Sequence, residues 1–353
     1  MSDAAASALI RVLVVDDSPA ACELLTGLLN ADPKLEVIGI AGDGEAAVAA
    51  AQHLQPDVIT MDIHMPRLNG FDATRAIMET APTRIVMVTA SSVPSEIAAT
   101  FRALESGALT VIAKPPGPGH PLFIAARDEL VRTIKLMAEV RVVKRWTPPR
   151  AGSASKLPLA VPAAAADVRL VAIGASTGGP LVLQTILSRL RPALKVPIVI
   201  VQHISIGFAE GMAQWLGQTS GHVVRVAANG EPMQPGIAYV APDSVQMGVR
   251  ASGLIALTRE PPENGFCPSV SHLFRSVAAE YGAHAVGVLL TGMGRDGAEE
   301  LKAMRQAGAL TLVQDSRSAV INGMPGEAVK LGAAAHVLPP ESIAATLQRL
   351  VRQ

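Results

Sequence analysis

A serine stands between glycines in Gly174-Ala175-Ser176-Thr177-Gly178-Gly179, after an apolar run over residues 170–173 and ahead of Pro180. The run predicts a strand and the segment from Pro180 a helix, which puts Ser176 on a sharp strand-to-helix turn, the place where hydrolases expose a nucleophile. Glycines allow the backbone angles of such a turn and leave room for a substrate carbonyl, while amides at a helix start face an incoming anion. Gly174, Ser176 and Gly178 meet the G-x-S-x-G spacing. The same residue types also build nucleotide-phosphate cradles and plain tight turns.

A serine nucleophile needs an imidazole base, and the imidazole needs a carboxylate to fix its tautomer. Of eight histidines, His203 alone follows a matching strand run, at residues 198–201, which brings it to the same sheet edge as Ser176. A further apolar run, 286–290, leads into Thr291-Gly292-Met293-Gly294-Arg295-Asp296-Gly297. Asp296 there could orient His203, or could simply cap the helix that follows, as aspartate often does. The Met293 and Thr177 amides are the expected donors for a tetrahedral oxyanion. A dinucleotide site at Gly174 is disfavoured twice: the spacing is not G-x-G-x-x-G, and the next strand ends in Gln202-His203 where an acidic ribose ligand is needed.

The first 140 residues place other chemistry at strand ends. Asp16 and Asp17 follow one apolar run, Asp62 another, Thr89 closes a third, and Lys114 follows a fourth. Converging carboxylates repel unless a hard cation lies among them, so Asp16, Asp17 and Asp62 form a candidate Mg²⁺ site. Asp62 is then the expected phosphoryl acceptor, with Lys114 and Thr89 contacting the phosphoryl oxygens. Taken singly, Asp16-Asp17 could be a helix cap and Lys114 a solvated surface base.

These residues must be held by alternating strands and helices, and both halves show that alternation. Strands are expected at 11–15, 37–41, 58–61, 85–89 and 110–112, with a last helix from Leu122; then at 170–173, 198–201, 223–226, 285–290 and 311–313. The fold class is α/β, as two doubly wound parallel-sheet domains: a flavodoxin-like unit, then a Rossmann-like one. Segments 237–241, 245–249 and 254–258 lie too close together for intervening helices and predict an antiparallel insertion. Residues 141–167, rich in Pro, Ala, Gly and Ser without periodicity, read as a linker between domains at 1–140 and 168–353. Equal numbers of basic and acidic residues, 30 each, argue against nucleic acid or an anionic membrane as partner. Cys22 and Cys267 form no metal or disulfide pattern, and no run reaches membrane-span length, so a cytoplasmic protein without membrane insertion is expected. No basic recognition helix or helix-turn-helix pattern supports a DNA-binding output.

Val14-Val15-Asp16-Asp17-Ser18, Asp62-Ile63-His64-Met65-Pro66, Val88-Thr89-Ala90 and Ala113-Lys114-Pro115 resemble a response-regulator receiver domain over residues 9–138. The resemblance implies phosphorylation of Asp62 by a histidine kinase. Val111 stands where such domains usually carry a Tyr or Phe switch. The motifs Gly174 to Pro180, Val201-Gln202-His203, Val240-Ala241-Pro242, Pro268-Ser269-Val270 and Thr291 to Gly297 are similar to the catalytic domain of chemotaxis methylesterases over 169–350. That likeness implies a monomeric hydrolase of glutamate methyl esters on methyl-accepting chemoreceptors, also deamidating glutamines, with no cofactor for the esterase. Ser176, His203 and Asp296 would be its triad, and an unphosphorylated receiver would cover the catalytic edge until Asp62 is phosphorylated. The chain departs from the pattern at Ile204-Ser205, where Met-Pro is usual, and at Ser271, where Asp is common. An adaptor with a decayed site is the remaining alternative.

Overall fold

The computed structural model describes residues 9–90, 93–140, 167–190 and 195–350; the linker expected at 141–167 lies, but for Asp167, outside them. The chain forms two compact units. In the first, β1 (Ile10–Val15), α1 (Pro19–Asn30), β2 (Leu35–Ala41), α2 (Gly44–Leu54), β3 (Val58–Met61), α3 (Gly70–Thr80), β4 (Arg84–Thr89), α4 (Pro94–Glu105), β5 (Thr110–Ala113) and α5 (Phe123–Glu139) alternate. Their sheet runs β2-β1-β3-β4-β5 and is parallel throughout. Short side-chain acceptors start the helices: Ser18 caps α1 next to Pro19, Asp43 caps α2 and Asn69 caps α3. With Ser18 in that role, Asp16 and Asp17 are not the helix cap.

The second unit follows with β6 (Leu170–Ala175), α6 (Gly179–Arg189), β7 (Ile198–Gln202), α7 (Ala209–Ser220), β8 (Val223–Val226), β9 (Ile237–Val240), β10 (Gln246–Val249), β11 (Ile255–Thr258), α8 (Val270–Tyr281), β12 (Ala285–Leu289), α9 (Ala298–Gln306), β13 (Leu310–Gln314), α10 (Met324–Lys330), β14 (His336–Leu338) and α11 (Pro340–Leu350). Seven strands form one parallel sheet, β14-β13-β12-β6-β7-β9-β8. Among the described strands, only β10 and β11 pair antiparallel. The expected three-stranded insertion is therefore a two-stranded one. Segment 237–240 instead joins the main sheet between β7 and β8, because residues 227–236 make the parallel return without a helix. Tyr239 secures that return from inside: its hydroxyl accepts from the Gln234 amide at 2.9 Å. The three-residue β14 was not expected, since so short a run gives no periodicity.

Every residue of β6, β7 and β12 is buried, as strands covered on both faces must be. Helix α8 packs on this centre through Val270, Leu273, Phe274 and Val277, all fully buried at helical spacing, each large side chain worth roughly 1.5–3 kcal/mol. The chain runs outward from β6 to β7 on one side and to β12 on the other. That reversal of strand order opens a crevice at the carboxyl ends of these three strands.

Candidate active site

Ser176 occupies that crevice at the end of β6. Its amide donates to Thr291 O at 2.9 Å, and its carbonyl accepts from Gly179 N at 2.8 Å and Gln202 Nε2 at 2.7 Å. Gly178 supplies the left-handed turn at φ 79°. Gly179 has to be small, because a Cβ there would lie 2.1 Å from Gln202 Oε1. Register fixes the neighbour: Ala175 pairs with Gln202, and His203 N donates to Ala175 O at 2.9 Å. Ser176 and His203 thus leave adjacent strands at one level.

The structure joins His203 to Asp296. Imidazole Nε2 lies 2.9 Å from Asp296 Oδ2, with side-chain exposures of 6% and 0%. Asp296 does not cap α9, whose cap is Gly297 without any side-chain bond. Its carboxylate turns instead to the start of α8: Oδ2 also accepts from Val270 N at 2.7 Å, and Oδ1 from Ser269 Oγ at 2.9 Å, Ser271 N at 3.2 Å and Asn264 Nδ2 at 3.2 Å. Burial opposes the charge, but the His203 hydrogen bond and field, with the Ser271 and Val270 donors, more than reverse this and hold the carboxyl well below the usual carboxylate range. A carboxylate so held accepts only, so the imidazole donates through Nε2, and its neutral form presents Nδ1 as a lone pair.

Nδ1 is buried and makes no hydrogen bond, so the Ser176 hydroxyl is not engaged with it in this state. An acceptor buried without a partner costs about 1–3 kcal/mol. Among the described residues, the Thr177 and Met293 amides donate to no other group, and Met293 is 41% exposed. The turn after β12 is braced to that of Ser176: Thr291 Oγ1 donates to Thr177 O at 2.9 Å, and a Cβ on Gly292 would lie 2.7 Å from Ser176 Cβ. Ser271, at the position where the resemblance expects Asp, bonds Glu300 at 2.6 Å and accepts from Gly297 N at 2.9 Å.

Three contributors escaped the sequence reading. Gln202 clamps the serine turn through its side chain. Phe266 stacks flat on the His203 ring, centroids 3.7 Å apart and planes 2° from parallel, and Asn264 reaches Asp296. The only signal for the last two is Asn264-Gly265, a turn dipeptide, which says nothing of where the turn points.

In the first unit the crevice lies between β1 and β3, again where strand order reverses. Asp16, Asp17 and Asp62 have carboxylate oxygens within 4.8 Å of one another. Lys114 Nζ lies 2.6 Å from Asp16 Oδ2 and 3.1 Å from Asp62 Oδ1, so it is not the solvated base of the alternative reading. Burial, and secondarily Asp16, raise the Asp62 pKa despite Lys114. Burial acts to lower that of Lys114, but its two carboxylate partners raise it further. Thr89 is buried at the end of β4 and Val111 is buried within β5. An open cleft of about 460 Å³ beside Asp17 is lined by Ile63, His64, Met65, Pro66, Asn69 and Phe71.

Fold and site define a class: an α/β protein with the layout of a serine hydrolase at one sheet's switch point, carrying in the same chain a receiver-type acidic pocket. Residues 171–347 match the CheB methylesterase family and residues 12–120 the response regulator receiver domain. A protein-glutamate methylesterase/protein-glutamine glutaminase of Geobacter metallireducens is 54% identical over 98% of this chain and 100% of its own length. One of Nitrosospira multiformis is 51% identical over 98% of each. The crystal structure of the Thermotoga maritima CheB methylesterase catalytic domain superimposes with a TM-score of 0.51 at 33% identity, covering 52% of this chain and 99% of that one. The chain belongs to the CheB methylesterase family.

Proposed function

We propose that this protein hydrolyses glutamate γ-methyl esters, and deamidates glutamines, on methyl-accepting chemoreceptors, under control of phosphorylation at Asp62. The observation that carries the reading is the His203–Asp296 pair, which leaves a buried, unbonded Nδ1 on a residue that follows the strand next to that of Ser176. Apo sites often hold such groups slightly apart until substrate arrives. Ser176 Oγ attacks the ester carbonyl while His203 Nδ1 takes its proton, Asp296 stabilises the imidazolium, and the Thr177 and Met293 amides hold the oxyanion. The imidazolium returns the proton to the leaving methoxide, releasing methanol, or to the leaving amine of a glutamine, releasing ammonia. Water then cleaves the acyl-serine by the same route and leaves glutamate. The test is methanol release from methylated receptor membranes, which the wild-type chain should catalyse.

The receiver pocket fits Mg²⁺ by its donor set: hard carboxylate oxygens from Asp16, Asp17 and Asp62 on one rim. The ion would neutralise charge on the transferring phosphoryl group. Asp62 accepts the phosphoryl group from a histidine kinase, and Lys114 and Thr89 contact its oxygens. Asp62→Asn should eliminate phosphate incorporation from acetyl phosphate and Mg²⁺, while leaving basal methanol release near the unphosphorylated wild-type rate. Persistent incorporation would move the acceptor elsewhere.

The domain division supports a regulatory reading: a receiver at 1–140, a linker at 141–167 and a catalytic domain at 168–353, with the unphosphorylated receiver restraining the esterase. Deleting residues 1–140 should raise basal methanol release severalfold. A truncated protein no faster than the full chain would exclude restraint by the receiver.

A further inference from the structure

Asn264, Gly265 and Phe266 lie on a tight turn between β11 and α8. Glu263 and Phe266 exchange backbone hydrogen bonds of 2.9 Å in both directions, and Asn264 and Gly265 take φ values of 54° and 84°. Two successive positive φ angles are what Asn-Gly tolerates and most residues do not. The turn is anchored on both sides. Gln246, 1% exposed, donates to Pro261 O at 3.2 Å and Phe266 O at 3.3 Å and accepts from Ser269 N at 2.8 Å. Glu263 pairs with Arg275 of α8, which also reaches Glu300 of α9 at 3.3 Å. So fixed, the turn delivers two side chains to the pair beneath it. Phe266 lies against the His203 ring, and Asn264 Nδ2 donates to Asp296 Oδ1 at 3.2 Å and to Ser271 Oγ at 3.3 Å.

Both imidazole nitrogens bond in the plane of their ring. A face-on partner therefore fixes that plane without competing for either nitrogen, and Nε2 stays on Asp296 while Nδ1 stays clear. Asn264 acts on the other member by holding the second carboxylate oxygen, so that Oδ2 remains turned to the imidazole. We propose that the 264–266 turn is a positioning element for the base: Phe266 sets the plane of His203 and Asn264 sets the rotation of Asp296. This rests on His203 being the base of the proposed esterase. Neither side chain need touch the substrate, so the effect falls on kcat and not on KM.

The test uses the full-length protein and methanol release from methylated receptor membranes. Phe266→Leu, which keeps bulk and removes the ring, should lower kcat on the order of ten- to a hundredfold with KM unchanged, and Phe266→Tyr should restore the rate. Asn264→Gly, which keeps the positive φ and removes the amide, should lower kcat about tenfold. A kcat within about twofold of wild type in either the Leu or the Gly variant, or a loss confined to KM, overturns the proposal. If Phe266→Leu does not fold, proton NMR of the wild-type chain decides. The carbon-bound ring protons of His203, assigned by their loss in His203→Gln, should lie upfield of those of the other histidines through the Phe266 ring current. Coincidence with the other histidines overturns the proposal. Should the wild-type chain release no methanol, the esterase reading fails, and the ring-current shift still reports on positioning.

Discussion

Ser176→Ala should abolish methanol release from methylated receptor membranes while the protein still folds. The hydroxyl is asked to do chemistry, and the turn is held by other atoms: Ser176 N on Thr291 O, Ser176 O on Gly179 N and Gln202 Nε2, and the left-handed Gly178. Alanine keeps all of these, so stability should change by no more than about 0.5 kcal/mol. The rate should fall by about a thousandfold or more, because removing the nucleophile of such a triad leaves only oxyanion stabilisation and binding. The measurement pairs methanol release with a thermal melt. Unchanged release by a folded variant would rule out Ser176 as the nucleophile, and the adaptor alternative would return if the wild-type chain were equally inert.

What the sequence made legible follows from how parallel sheets work. Polar residues after buried runs must emerge at one edge, so Asp16, Asp62, Lys114, Ser176, His203 and Asp296 could be placed from one-dimensional order alone. The role of Asp296 was ambiguous at that level, since a cap for the helix ahead and a partner for a distant histidine read alike. The structure separates them through the α8 amides of Val270 and Ser271, 26 and 25 positions upstream. Phe266 and Asn264 could not be assigned, because the stack on His203 exists only once the Asn-Gly turn is docked through Gln246 and Arg275. Strand β9 was misplaced for a related reason. Its apolar pattern is equally at home in a meander and in a parallel sheet, and the choice is made by Tyr239 and the return at 227–236.

Asp296→Asn should cost both rate and stability, and the two losses should respond differently to pH. Every group facing the carboxylate is a donor: His203 Nε2 and Val270 N at Oδ2; Ser269 Oγ, Ser271 N and Asn264 Nδ2 at Oδ1. An amide must turn its NH₂ toward one set. Facing Oδ2's partners, it orphans Val270 N and forces the His203 proton onto Nδ1, which can then no longer accept from Ser176; kcat should fall by about 10⁴. Facing the other set, the hydroxyl and the Asn264 amide can reorient, and Ser271 N is left with Ser269 Oγ at 3.1 Å. The first orientation deprives a buried amide of its partner, at about 1–3 kcal/mol, and the second removes one of the two acceptors of another. The wild-type carboxyl titrates below its unfolded value of about 3.9, so its stabilisation is complete at neutral pH and is lost as pH falls through the folded pKa. The variant has no such titration. Thermal melts should therefore show a gap between wild type and Asp296→Asn that is widest near pH 7 and narrows below about pH 4, where the carboxyl of the unfolded wild-type chain takes up a proton while the folded one is still charged. A gap that stayed constant down to pH 3 would mean that the buried charge contributes nothing beyond shape, and that Asp296 does not act as the anionic partner of His203.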